Sequence, residues 1–145
     1  MIRRLLPLLV VMLGVTGACD QDPTASPPKK EDECRLPSPK PNVDSSLIPE
    51  SFLPSGQADV TQTEKRKGRL VVVMTIPGTI QSVLDEYRSM VDESGFDLLQ
   101  EDNEGFEAEL YLQKGRGDLA VVQIRETGCT DKVLVLLNLP GPGKA

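Results

Sequence analysis

Short polar breaks divide residues 58–140 into apolar runs, and their brevity is what most limits the fold. Lys65-Arg66-Lys67-Gly68, Asp102-Asn103-Glu104-Gly105 and Lys114-Gly115-Arg116-Gly117 are each four residues of turn material. A parallel crossover takes a dozen or more residues, so strands joined by such breaks run antiparallel. Arg69 to Ile76 is β-branched and apolar and stops at Pro77-Gly78. Phe96 to Gln100 reads as a short strand. In the next run Phe106, Ala108, Leu110 and Leu112 alternate with Glu107, Glu109, Tyr111 and Gln113, which predicts a half-buried strand with the first set inward. Leu119 to Glu126 and Lys132 to Leu139 complete the set, and Pro140-Gly141-Pro142-Gly143 ends it.

One segment breaks the period of two. Ile80, Val83, Leu84, Tyr87 and Val91 fall on one face of a 3.6-residue period, with Thr79 placed to cap its start and Gly95 its end. The expected fold class is therefore α+β, an antiparallel sheet packed on one amphipathic helix in the order β-β-α-β-β-β-β. The expected organisation is a leader over residues 1–18, Cys19 and a Pro-rich linker over 19–57, the domain over 58–140 and a tail over 141–145. Pro27-Pro28 and Pro37-Ser38-Pro39-Lys40-Pro41 favour extended polyproline geometry and the reading of a solvated spacer. Leu47-Ile48-Pro49-Glu50-Ser51-Phe52-Leu53 is more apolar, a patch suited to packing on the domain edge.

The first residues follow secretory grammar: Arg3 and Arg4, an apolar run Leu5 to Leu13, then small residues Gly14 to Ala18. The apolar run is too short for a spanning helix, which needs roughly 20 residues. Val15-Thr16-Gly17-Ala18-Cys19 resembles the bacterial lipobox, although Thr16 stands where that motif usually has Leu. The resemblance implies cleavage before Cys19, lipidation of Cys19 and a lipid anchor in the cell membrane or outer membrane, facing the periplasm or exterior. Cleavage without lipid is the alternative that Thr16 keeps open. Asp20 resembles the inner-membrane retention signal of enterobacterial lipoproteins.

With Cys19 lipidated, Cys34 and Cys129 remain as an even pair in a compartment that permits disulfides. The alternatives are two free thiols, or a thiol joined to another chain.

Of the 16 Lys and Arg, Arg3 and Arg4 lie in the leader, so the chain from Cys19 carries 14 against 22 Asp and Glu, near −8. Such a body repels polyphosphate, and no nucleic-acid partner is expected. The absence of His removes the commonest general base and metal ligand, and no nucleophile or phosphate-loop motif stands in for it. The acidic stretch Asp92, Glu93, Asp97, Glu101, Asp102 and Glu104 lacks the alternating order of a calcium loop and reads as a solvated surface. Neither a cofactor nor a metal is expected. Lys65, Arg66, Lys67 and Arg69 form the one dense basic cluster, a candidate contact for a partner or anionic lipid.

The element order over residues 58–139 is similar in outline to helix-grip envelope domains, among them repeats of the lipoprotein C component of the outer-membrane β-barrel assembly machine. That likeness argues fold only. The function expected is a non-catalytic, membrane-tethered binding or accessory module. Its envelope-protein partner would dock on the exposed sheet edge or the helix–sheet groove. The alternative is a carrier or sensor holding a small apolar ligand between helix and sheet.

Overall fold

The computed structural model describes Cys34, residues 36–54 and residues 57–141. The leader and Cys19 fall outside the described residues. Strands β1 (Asp59–Arg66) and β2 (Arg69–Pro77) form a hairpin through Lys67 and Gly68. Both turn residues have positive φ, 50° and 76°, as a two-residue turn needs to follow strand twist. Helix α1 (Ile80–Ser94) comes next, then β3 (Asp97–Asn103), β4 (Glu107–Lys114), β5 (Asp118–Glu126) and β6 (Lys132–Pro140).

Local chemistry fixes the helix ends. Thr79 Oγ1 accepts from Ser82 N at 3.2 Å while Ser82 Oγ accepts from Thr79 N at 2.9 Å. Gly95 ends the helix in the left-handed region at φ 72°.

All pairings are antiparallel, and the spatial order is β1-β2-β6-β5-β4-β3. The last strand thus sits in the middle. Only β6 joins the β1–β2 hairpin to the β3–β4–β5 meander, so the sheet is complete only when the C-terminal strand is in place.

One face of the sheet carries the core. Leu70, Val72, Met74, Leu110, Leu112, Val122, Ile124, Val135 and Leu137 point inward and are buried, against Ile80, Val83, Leu84, Tyr87 and Val91 of α1. The Tyr87 hydroxyl is buried and donates to Phe52 O at 3.3 Å. Burial first, and Glu86 second, pushes the Tyr87 phenol well above its ordinary range, so it remains a neutral donor.

A helix is about 10 Å across, whereas six strands span about 24 Å. Helix α1 lies over β3, β4 and β5 and leaves the other half of the inner face uncovered. Two single 3₁₀ turns extend the cover, Ser45–Leu47 against β1 and Glu50–Phe52 against α1. Ile48 and Phe52 are 5% and 2% exposed, and the Phe52 ring meets Phe96 edge-on at 5.4 Å between centroids. Asp44 caps the first turn by accepting from Ser46 N at 3.1 Å, and its own N–H donates to Thr63 Oγ1 at 2.8 Å. Lys40 N donates to Thr61 O at 2.8 Å, where β1 bulges between Val60 and Gln62.

The packed unit therefore starts well before Ala58, and residues 36–54 are a strap docked on the domain. The apolar patch Leu47 to Leu53 is an integral part of the core, because one helix is too narrow to close it.

A disulfide joins Cys34 to Cys129, which lies in the β5–β6 turn; the Cα atoms are 4.4 Å apart across 95 residues of sequence. It ties the start of the strap to the far end of the sheet. Phe106 departs from the inward position that alternation assigns it. It is 57% exposed, because β4 begins only at Glu107 and the chain is still turning through Gly105.

Two stability outcomes follow. Phe52→Ala should lower the urea-derived unfolding free energy by about 3–5 kcal/mol, the range for a buried aromatic, whereas a solvated spacer residue would change it by less than about 0.5. Reducing the Cys34–Cys129 bridge should lower stability by up to about 4–5 kcal/mol for a loop of this length, read as a fall in the urea midpoint.

Candidate binding face

The second face of the sheet has no helix or strand packed on it among the described residues; only at its Asp59–Thr75 corner do residues 36–39 lie alongside, where Thr75 is buried. Alternation along each strand and the register across strands set its side chains in rows. One row reads Glu64, Val71, Asn138, Val121, Tyr111 and Gln100 from β1 to β3. The next reads Gln62, Val73, Leu136, Gln123, Glu109 and Asp102. Beyond it come Asp59, Thr75, Leu134, Arg125 and Glu107. At the opposite end lie Arg66, Arg69, Pro140 and Leu119.

Val71, Val73, Val121, Leu134 and Leu136 are contiguous on β2, β6 and β5, and each is half-buried by its neighbours alone. Leu119, 40% exposed, extends the patch at one end. A half-covered antiparallel sheet ordinarily carries polar side chains on its wet face. Here the three central strands carry aliphatic ones instead, which makes this face the candidate contact surface of the domain.

Polar groups frame the patch and hold one another. The Tyr111 hydroxyl donates to Glu109 at 2.6 Å, which pushes its phenol above the ordinary range, and the Gln123 amide donates to both Glu107 and Glu109. Arg125 pairs with Glu107 at 3.1 Å. The Arg69 guanidinium crosses the face to donate to the side chain of Asn138 and to the backbone carbonyls of Asn138 and Leu119.

The structure divides the basic cluster accordingly. Lys65, Arg66 and Lys67 share the exposed β1–β2 hairpin, with Lys65 and Arg66 still inside β1. Arg69 is drawn off onto the sheet face and is not part of that group. The acidic stretch is also divided: Glu101 points to the helix side and binds Arg88, which also pairs with Asp85. The Arg88 hydrogen bond is the main cause that holds the Glu101 carboxyl below its ordinary range. Among the described residues no group of three His, Cys, Asp or Glu is arranged to hold a metal ion.

Other surfaces are less suited to docking. The free edge at β3 exposes Leu98 and Leu99 at 45% and 54%, but a bulge between Leu98 and Gln100 and the acids Asp97 and Asp102 guard it against strand addition. A cleft of about 450 Å³ opens at the start of α1 beside the β5–β6 turn, but Thr79 and Ser82 already satisfy each other's N–H groups there. The described residues contain no helix long and apolar enough to cross a membrane.

Reasoning from sequence missed the five aliphatic residues of the open face. The signal lay in β2, where Leu70 to Met74 is apolar at every position, and in β6, where Val133 to Leu137 is too. Unbroken runs of that kind belong to strands covered on both faces, whereas β4 alternates as a strand covered on one. Compared with known proteins, the chain matches no family model and no curated sequence.

Glu101 gives a pH-dependent outcome. Its folded pKa is depressed, so the stability it contributes is present above the unfolded value of about 4.3 and is lost as pH falls through the lower folded value. Arg88 is 40% exposed, so Glu101→Gln should cost no more than about 1 kcal/mol at pH 7. That difference should shrink toward zero in urea titrations run progressively below pH 4, as Glu101 itself protonates.

Proposed function

We propose that this chain is a cell-envelope lipoprotein, cut before Cys19 and lipid-anchored there, whose folded domain is a non-catalytic binding module acting through the open face of its sheet. The lipobox-like stretch Val15 to Cys19 supports the anchor. The observation that carries the binding role is the contiguous patch of Val71, Val73, Val121, Leu134 and Leu136 on a face with no helix or strand packed on it among the described residues. A membrane-tethered accessory protein needs a surface of this kind, and no residue constellation here calls for chemistry instead.

The disulfide adds mechanical sense to the tether. Cys34 lies 15 residues after Cys19, so a pull on the anchor reaches the domain at the Cys34–Cys129 bridge rather than peeling the strap away from Phe52. A carrier would need room between helix and sheet. Leu84, Tyr87, Leu110, Leu112 and Val122 occupy that layer with no exposed surface, which favours the binding module.

Two variants separate the parts of this reading. Cys19→Ser should abolish lipid labelling and move the protein from the membrane fraction to the soluble one, or leave the precursor uncut. Unchanged mass and membrane retention would exclude the anchor. Leu136→Lys should keep the far-ultraviolet circular dichroism of wild type and yet lose the crosslinked adducts that wild type gives in intact cells. Adducts equal in yield and identity would exclude the face.

A further inference from the structure

We infer that the open face is covered by a second copy of this chain, the two sheets stacking about a two-fold axis that lies between them and runs across the strands. This deepens the binding-face reading and rests on it.

Among the described residues nothing else covers the centre of this face. Asp20 to Glu33 is polar, rich in Pro, Lys, Asp and Glu, with nothing to bury on valines and leucines. Within the strap, Ile48 and Phe52 are committed to the other face, and residues 36–39 reach only the Asp59–Thr75 corner of this one, leaving the valine–leucine centre bare. Size also fits. Six strands by four rows make a footprint of about 650 Å², close to the roughly 800 Å² that each partner contributes to a standard stable interface. Two such faces stack as sheets do in a sandwich, about 10 Å apart and twisted by about 30°.

Charge decides between a second copy arranged this way and one arranged otherwise. A two-fold axis across the strands, midway between the Val73–Leu136 row and the Val71–Asn138 row, sets β1 over β1 with direction reversed. The apolar centre then covers itself. Arg66, at one end of β1, comes over Asp59 at the other end of the partner's β1, joining the 3.9 Å pair that Asp59 makes with Lys132 of its own chain, and the symmetry makes that contact twice. Glu109 comes over Tyr111 and Glu107 over Gln113, so the acidic flank meets neutral groups. An axis running along β6 would instead set Asp59 over Glu107 and bring like charges together, an unfavourable arrangement.

The test is sedimentation velocity on the chain carrying Cys19→Ser, which removes both lipid and thiol at that position, over a concentration series reaching about 1 mM. The expected result is a reversible dimer. Leu136→Lys should raise its dissociation constant by at least about 30-fold, as for a residue central to an interface. Asp59→Arg should weaken the dimer, and adding Arg66→Asp should restore it, because only the stated axis sets those two positions opposite each other. That rescue does not depend on a variant that might fail to fold. A monomer throughout the series, or a dimer indifferent to Leu136→Lys, overturns the second copy. A dimer that Leu136→Lys breaks but the Arg66→Asp change does not rescue overturns the axis. If the chain sediments as a monomer while Leu136→Lys still removes a crosslinked adduct of a different protein in cells, the binding face stands and the self-pairing falls.

Discussion

A single α-helix about 10 Å across cannot cover a six-stranded sheet about 24 Å wide, and most of this structure follows from that mismatch. Covering the β3–β4–β5 half with α1 leaves β1 and β2 in need of something apolar. The strap adds Ile48 and Phe52 to the core, its first turn against β1 and its second against α1. Once the strap is part of the core, its path is fixed by the Phe52–Phe96 contact, the Tyr87 hydrogen bond and the Asp44 cap. The Cys34–Cys129 bridge then locks its entry point to a turn at the end of the sheet. In a domain this small one core is stable by a narrow margin, so a segment that helps close it is not an accessory.

The same sheet explains why the domain is suited to binding. Its inner face is saturated by helix and strap, yet β2, β5 and β6 carry aliphatic residues on the outer face too. Those residues gain little while wet, and burying them against a matching surface removes apolar area from water. The polar frame around them is internally satisfied: Tyr111, Gln123, Arg125 and Arg69 all have partners on the sheet itself. Such a frame loses little on docking because its groups need no rescue from the partner, while its ionised members select orientation. At the β3 edge the bulge and the acids oppose strand addition, which leaves the face as the proposed contact surface.

Helix α1 was plain from its sequence, since five apolar residues on one face and two capping residues need no knowledge of distant chain. The β4 strand was equally plain from alternation, apart from Phe106, whose carbonyl still accepts from Glu126 N but whose ring, just before the strand begins, is left exposed. The strap was less legible. Proline-rich composition describes local stiffness, and it does not reveal that half of a sheet upstream of α1 stands uncovered. Arg69 shows the same limit: by position it belongs to a basic hairpin, yet its guanidinium is held by Asn138 and Leu119, which are 69 and 50 residues away in sequence.

What the sequence determined by itself were the local choices: where strands turn, where the helix starts and stops, and the antiparallel sense of neighbours joined by four-residue breaks. Each is set by forces between residues a few positions apart. Tertiary structure alone decided the insertion of β6 between β2 and β5, the docking of residues 36–54, and hence which aliphatic side chains ended inside and which outside. Those outcomes rest on contacts between segments far apart in the chain. The unbroken apolar runs of β2 and β6 say that both faces want cover, but only the assembled sheet shows which face the helix and strap leave bare.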